Sequence, residues 1–212
     1  MRIYAIALMA SGLLLFTTRG GPARAIQPDD PAVIPQLPPS QFPELPARFR
    51  QQLENRGCGI PQVSGWPLEP GVTEATQARM NVIAGHFARN DQVDWAALCY
   101  KNGQSSILVF WGKPTACAAE LAPKTYSEAL RGEGSQNNFD GPLIFSRRIG
   151  WVPGGARNFA TEAEEGHWLK KPPDYRAQGH HAAITDIVYT SLFMHVYYCS
   201  GGNWYTFEYT GE

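Results

Sequence analysis

The sequence predicts a mainly β fold of antiparallel meanders and hairpins, two-layered or partial-propeller-like, with one short N-terminal helix. Two turn dipeptides and the composition carry that expectation. Asn102-Gly103 separates Val93–Lys101 (VDWAALCYK) from Ser105–Trp111 (SSILVFW). Both turn residues tolerate the positive φ of a two-residue hairpin turn. Gly201-Gly202 likewise separates Ser191–Ser200 from Asn203–Tyr209. Aromatic residues form 12% of the 212, beside 21 Gly and 17 Pro, a composition of strands and turns rather than of helical bundles.

The N-terminus reads as a secretory signal peptide over residues 1–25. Arg2 is the positive start, Ile3–Phe16 the apolar run, and Ala23-Arg24-Ala25 the cleavage site. The run is too short for a membrane span, which needs about 20 residues. No Cys follows the cleavage site, so the mature chain is expected to begin at Ile26 without a lipid anchor or membrane span. Removal of Arg2, Arg19 and Arg24 takes the net charge from −1 to −4. No basic block remains to hold a phosphate backbone, which excludes nucleic acid as the expected partner. The expected location is periplasmic or extracellular.

Residues 26–46 are proline-rich and read as an extended linker. Residues 47–212 read as a single β-rich domain. Ala47–Arg56 is the expected helix: Phe49 and Leu53 share a face and Gly57 suits its C-cap. Pro61–Gln77 reads as loop. The central meander follows, with a first strand at Val82–Phe87 and a turn at Ala88–Gln92. The Asn-Gly turn pairs Leu98 with Ile107, Ala96 with Val109, Trp95 with Phe110 and Cys99 with Ser106. Apolar pairs then lie on both faces, so the hairpin is expected at the centre, covered on each side. The alternative is a one-sided sheet whose second face carries an interaction patch.

A turn at Gly112–Thr115 leads to a fourth strand at Ala116–Leu121, with Cys117 opposite Phe110. Thr125–Gly132 suits a turn or two of helix, Glu133–Asn138 a surface loop, and Pro142–Val152 a strand. Ala183–Tyr189 is a further strand before the final hairpin. There the Gly-Gly turn pairs Met194 with Tyr209, Val196 with Phe207 and Tyr198 with Tyr205. The other face pairs His195 with Glu208, an ordinary cross-strand partnership.

Cys58, Cys99, Cys117 and Cys199 are an even set in an exported chain, which implies two disulfides. None of the spacings is Cys-x-x-Cys, so thioredoxin-like or zinc-ribbon chemistry is not expected. Cys99 and Cys117 are too far apart along their strands to pair. Cys58 ends the helix that must dock on the central strands, so Cys99 is its expected partner. Cys117 then joins the meander to the terminal hairpin through Cys199.

The stretch VIAGHFARNDQVDWAAL resembles the FG-GAP pattern through Gly85, Phe87, Asn90, Asp94, Trp95 and Ala96. The resemblance implies a strand–turn–strand unit whose loop Asp and Asn side chains bind calcium. Here the loop donor positions hold His86, Ala88, Asn90 and Asp94, so two of the oxygen donors are replaced. No tight calcium site is therefore expected at the degenerate loop Asn90 and Asp94. The ending HHAAITDIVYTSLFMHVYYCSGGNWYTFEY is similar to the tails of uncharacterised secreted bacterial β-rich proteins with an FG-GAP-like first half. That resemblance implies an exported β-rich domain and transfers no activity.

Polar chemistry gathers in Gly154–Asp174, with Glu162, Glu164, Glu165, His167, Lys170 and Lys171. A carboxylate beside a histidine can exchange protons with a substrate. Glu165 and His167 are the weak catalytic candidates; the bland reading is a solvated loop. His180 and His181 would face opposite ways in a strand and could share a metal only in a loop. The chain lacks Gly-x-Ser-x-Gly and His-Glu-x-x-His. The reading is an exported non-enzymatic β-rich module that binds a protein or glycan partner or contributes to the cell envelope, with no cofactor. The alternatives are a hydrolase built on Glu162–His167 and a calcium- or zinc-dependent binding protein.

Overall fold

In a computed structural model of the chain, residues 34–62, 79–132, 143–154, 166–171, 181–188 and 193–210 are described. Residues 1–25, expected to be a signal peptide, Glu162, Glu164, Glu165, His180 and the stretch Glu133–Asn138, expected to be a loop, lie outside them.

The described chain begins with a packed arm. β1 (Gln36–Leu37) pairs antiparallel with β2 (Ile60–Pro61). Between them runs α1 (Ala47–Arg56). Gly57 ends the helix at φ 70°, and the Cys58 N–H closes on the Leu53 carbonyl at 3.0 Å, a left-handed cap that glycine allows. Residues 34–46, expected to finish an extended linker, are packed instead. Ile34, Phe42 and Leu45 are buried. The Arg79 guanidinium donates to the Gln41 carbonyl at 2.6 Å and to Glu44 at 3.1 Å. The prolines keep the backbone in short extended pieces, while the apolar residues between them supply the burial that fixes it.

β3 (Val82–Gly85), β4 (Asp94–Lys101), β5 (Gln104–Phe110) and β6 (Glu120–Thr125) form a four-stranded antiparallel sheet in sequence order. The β4–β5 pairs are those the Asn-Gly turn predicts, from Trp95↔Phe110 to Cys99↔Ser106. Asn102 and Gly103 take φ of 50° and 79°, as a primed turn requires. The fourth strand differs from expectation. It begins at Glu120, pairs Leu108 with Glu120, and leaves Cys117 in the connection rather than opposite Phe110. Pro114, which has no N–H to give a ladder, stands in that connection. The β5–β6 register shifts between Ser105 and Ile107, and Ala122 bulges there at φ 51°.

α2 (Tyr126–Ala129) is one turn. β7 (Leu130–Gly132) and β8 (Leu143–Phe145) then make a two-stranded ribbon. The strand expected over Pro142–Val152 is broken at Ser146, whose N–H bonds the Ala129 carbonyl at 3.0 Å. Beyond that break, β9 (Arg147–Val152) joins β10 (Gly166–Lys170), β11 (Ala183–Val188), β12 (Phe193–Ser200) and β13 (Asn203–Thr210). They form a five-stranded antiparallel sheet in the order β10-β13-β12-β11-β9. β10 is a strand where the sequence suggested only a solvated loop, because its backbone pairs antiparallel with β13 from Gly166↔Tyr209 to Lys170↔Thr206. The terminal hairpin has the expected pairs Met194↔Tyr209, Val196↔Phe207, Tyr198↔Tyr205 and His195↔Glu208.

The protein is therefore mainly β. The four-stranded sheet is covered on both faces, as its apolar pairs foretell. On one face Phe42, Phe49 and Leu53 pack on Ala97, Leu108 and Phe110, with the Phe49 and Phe110 rings 5.0 Å apart. On the other, Ala96, Leu98, Ile107 and Val109 share a core with Ile149 and Ile184 of the five-stranded sheet.

Polar stitches join the two sheets. The Asn81 amide donates to the Pro61 carbonyl at 2.7 Å and accepts from the Ile149 N–H at 3.1 Å. It thereby occupies a backbone group on the outer edge of β9, which blunts that edge. Both expected disulfides are present, Cys58–Cys99 and Cys117–Cys199. Beside the second, the Trp204 indole N–H donates to the Ala118 carbonyl at 2.8 Å and its ring stacks on Trp111 at 5.7 Å.

Candidate functional site: a tryptophan ridge between two hollows

Asp94 is buried at the start of β4, and its carboxylate is fully engaged. One oxygen accepts the Phe87 and Ala88 N–H groups at 3.1 and 3.0 Å. The other accepts the Gln92 amide at 2.6 Å and the Gly112 N–H at 2.8 Å. The residue that the FG-GAP resemblance marks as a cation ligand thus holds the turn 86–92 and the end of β5 together. Asn90 lies in that turn. His86 brings Nδ1 to 2.6 Å from the Gln92 carbonyl, and its own carbonyl accepts the Ala182 N–H at 2.8 Å.

A buried ion pair between adjacent strands of the five-stranded sheet reaches across to the four-stranded one through Ser105, Ala122 and Lys124. Arg147 donates to both Asp186 oxygens, at 2.8 and 3.1 Å, to Ser105 through its carbonyl and hydroxyl, and to the bulged Ala122 carbonyl at 2.6 Å. The Lys124 ammonium stands 3.6 Å from Asp186. Burial, and then the Asp186 charge, push the neighbouring Tyr197 phenol far up, so that it stays protonated. Every donor of the guanidinium fork has work within the fold, which marks the cluster as a joint rather than an active site.

The expected acid–histidine loop divides. Glu165 and His180 fall outside the described residues. His167 lies on β10, its backbone opposite Glu208. Glu208 makes a 3.1 Å pair with His195, as the hairpin register predicts. His181 is buried and stacks on Tyr198 with ring centroids 4.3 Å apart. Burial holds its pKa below the usual histidine range, against the opposing pull of the Ala182 carbonyl and the Asp94 charge. Burial also pushes the Tyr198 phenol up to about 12. Among the described residues no group of three His, Cys, Asp or Glu is placed to hold a metal ion.

The surface offers a different feature. Trp151, near the end of β9, is 50% exposed. It lines two hollows at once. The larger, about 530 Å³, is walled by Met80, Ile83, Val152, Ile187 and Met194, with Arg148 and Thr185 as its polar members. The smaller, about 310 Å³, is walled by Ala84, Gly85, His86, Val93 and Ala182. Val93, 52% exposed, extends the apolar surface. A Cβ at Gly85 would meet the buried Phe87 ring at 2.6 Å, so this position leaves no room for a side chain without a shift of that ring. Sequence reading placed Trp151 on a strand without singling it out. Its one signal is a tryptophan directly before the loop-forming Val-Pro-Gly-Gly stretch.

Comparison with protein-family models, with curated proteins and with solved structures finds no match for this chain. Among the described residues no helix is long and apolar enough to cross a membrane.

Proposed function

We propose that the chain is an exported, non-enzymatic β-rich module that binds a protein partner through the face around Trp151. The observation that carries this reading is the half-exposed Trp151 ridge between two apolar hollows. Large exposed aromatics are what protein-binding hot spots are built from. The lining favours a protein over a glycan. It is chiefly aliphatic, with two methionines that adapt to a partner's side chains, whereas a sugar needs many fixed hydrogen-bonding groups. The two disulfides suit an oxidising compartment, and the signal-peptide pattern supports export.

A photo-crosslinking amino acid at position 151, in cells that make and export the chain, tests the reading. The same probe at Glu54, exposed on α1, is the control. A discrete, protease-sensitive adduct from 151 and none from 54 is the expected result. Equal labelling from both positions, a protease-resistant glycan adduct, or none would overturn it.

A further inference from the structure

We propose that the Cys58–Cys99 disulfide is a site of thiol–disulfide exchange, opened by a dithiol reductant and re-closed while the fold stays intact. Both cysteines line a hollow of about 280 Å³ at the end of α1, beside the turn of the β4–β5 hairpin. Cys99 and Lys101, two apart on β4, share the sheet face that borders it. Arg56, the last residue of α1, and Glu120 of β6 line it as well. The two cysteines are otherwise buried, so the hollow is the approach to them.

A thiolate entering the hollow bonds to one sulfur, and the other leaves with the electron pair of the broken S–S bond. The reductant's second thiolate then attacks the mixed disulfide and departs joined to the first. Two electrons and two protons thus pass from the dithiol to the chain, which ends with two thiols. The departing thiolate forms in a hollow lined by Arg56 and Lys101, cations that favour thiolate over thiol. The Lys101 ammonium donates to the Arg56 carbonyl at 2.6 Å, which holds it at the helix end that leads into Cys58. Glu120 lies 3.7 Å from Arg56 and offsets part of that charge.

Opening the bond leaves its supports in place. Gly59 and Tyr100, each next to a cysteine, exchange backbone hydrogen bonds of 3.1 and 2.8 Å. Phe49 and Leu53 keep α1 on the sheet. The two thiols therefore stay opposed and ready to re-close. The second disulfide sits in closer packing. Cys117 Sγ lies 3.5 Å from the Asn203 carbonyl, Trp204 closes over the junction onto Ala118 and Trp111, and a Cβ at Gly202 would stand 2.7 Å from that of Ala116.

Dithiothreitol added to the folded, disulfide-intact chain, followed by alkylation and peptide mapping, tests the proposal. Cys58 and Cys99 should become labelled about tenfold or more faster than Cys117 and Cys199. The far-ultraviolet circular dichroism of the folded chain should persist, and oxidised dithiothreitol should restore the bond. Arg56→Gln/Lys101→Gln should slow the labelling about threefold or more; the order of labelling in the parent chain decides the matter if that variant fails to fold. A mixed disulfide with a thioredoxin-class protein stripped of its resolving cysteine assigns a protein donor, and one with glutathione alone assigns a small thiol. Equal labelling of the two disulfides, Cys117–Cys199 opening first, opening only together with global unfolding, or a folded charge variant as fast as the parent would overturn the proposal. Labelling is read without any partner, so it stands or falls apart from the Trp151 reading.

Discussion

Asp94 spends its negative charge on the backbone of its own chain. Replacing it with Ala strips buried acceptors from the Phe87, Ala88 and Gly112 N–H groups. Unpaired buried groups cost about 1–3 kcal/mol each. Urea unfolding of Asp94→Ala should therefore show a loss above about 3 kcal/mol; a loss below about 1 would mean that other contacts hold the turn. His181 gives a prediction in pH. Its folded pKa lies below the unfolded value, so the unfolded chain takes up the proton first as pH falls. The favourable balance is complete above about pH 6.5 and is lost progressively below it. His181→Phe keeps an aromatic ring against Tyr198 and removes the titration. Its urea midpoint should drop less between pH 7 and pH 5 than the parent's, and an identical drop would assign the pH dependence elsewhere. At this scale the sequence was a partial guide. The His195–Glu208 pair follows from a turn dipeptide and a count. Arg147 does not, because a buried arginine has the same letter as a surface one, and its acceptors come from distant strands and a bulge.

The elements divide by how local their causes are. Both hairpins were legible because Asn-Gly and Gly-Gly impose a register without help from the rest of the chain. The start of β6 was not, since the Ala122 bulge and the Cys117 link are long-range features. The arm over residues 34–46 was misread for a related reason. Proline content signals extended backbone but says nothing of whether Phe42 and Leu45 find a core. The two disulfides tie elements together across sequence separations of 41 and 82 residues. Loop-closure entropy then assigns each about 4–5 kcal/mol. The double variants Cys58→Ala/Cys99→Ala and Cys117→Ala/Cys199→Ala should each lose stability of that order in reversible urea unfolding. A near-neutral pair would show that packing alone holds that junction.

Over the whole molecule, the two sheets share one core and are bolted by Arg147, which Asp186 holds in place while it bonds Ser105 and Ala122, and by Asn81. Unfolding is expected as a single transition, coincident by near- and far-ultraviolet circular dichroism. Removing one partner of a buried ion pair strands the other, at about 3–5 kcal/mol. Asp186→Ala should thus lower the midpoint steeply, and separate transitions in the parent chain would show that the sheets are independent. The mainly β class was readable from composition and turns. The Trp151 face was not, because it is assembled from β3, β9, β11 and β12, whose adjacency no local pattern records.

The cysteines pair first with second and third with fourth along the chain. For a polypeptide threaded through a membrane N-terminus first, this is a matter of timing. Cys58 meets its proper partner as soon as Cys99 arrives, before Cys117 can compete. Cys117 then waits for Cys199, which emerges almost last. An oxidase that joins thiols in order of arrival makes no mistake on such a chain. Its yield in an exporting cell should be indifferent to the loss of disulfide isomerase, and a yield that collapses without the isomerase would show that the thiols are scrambled first and sorted afterwards.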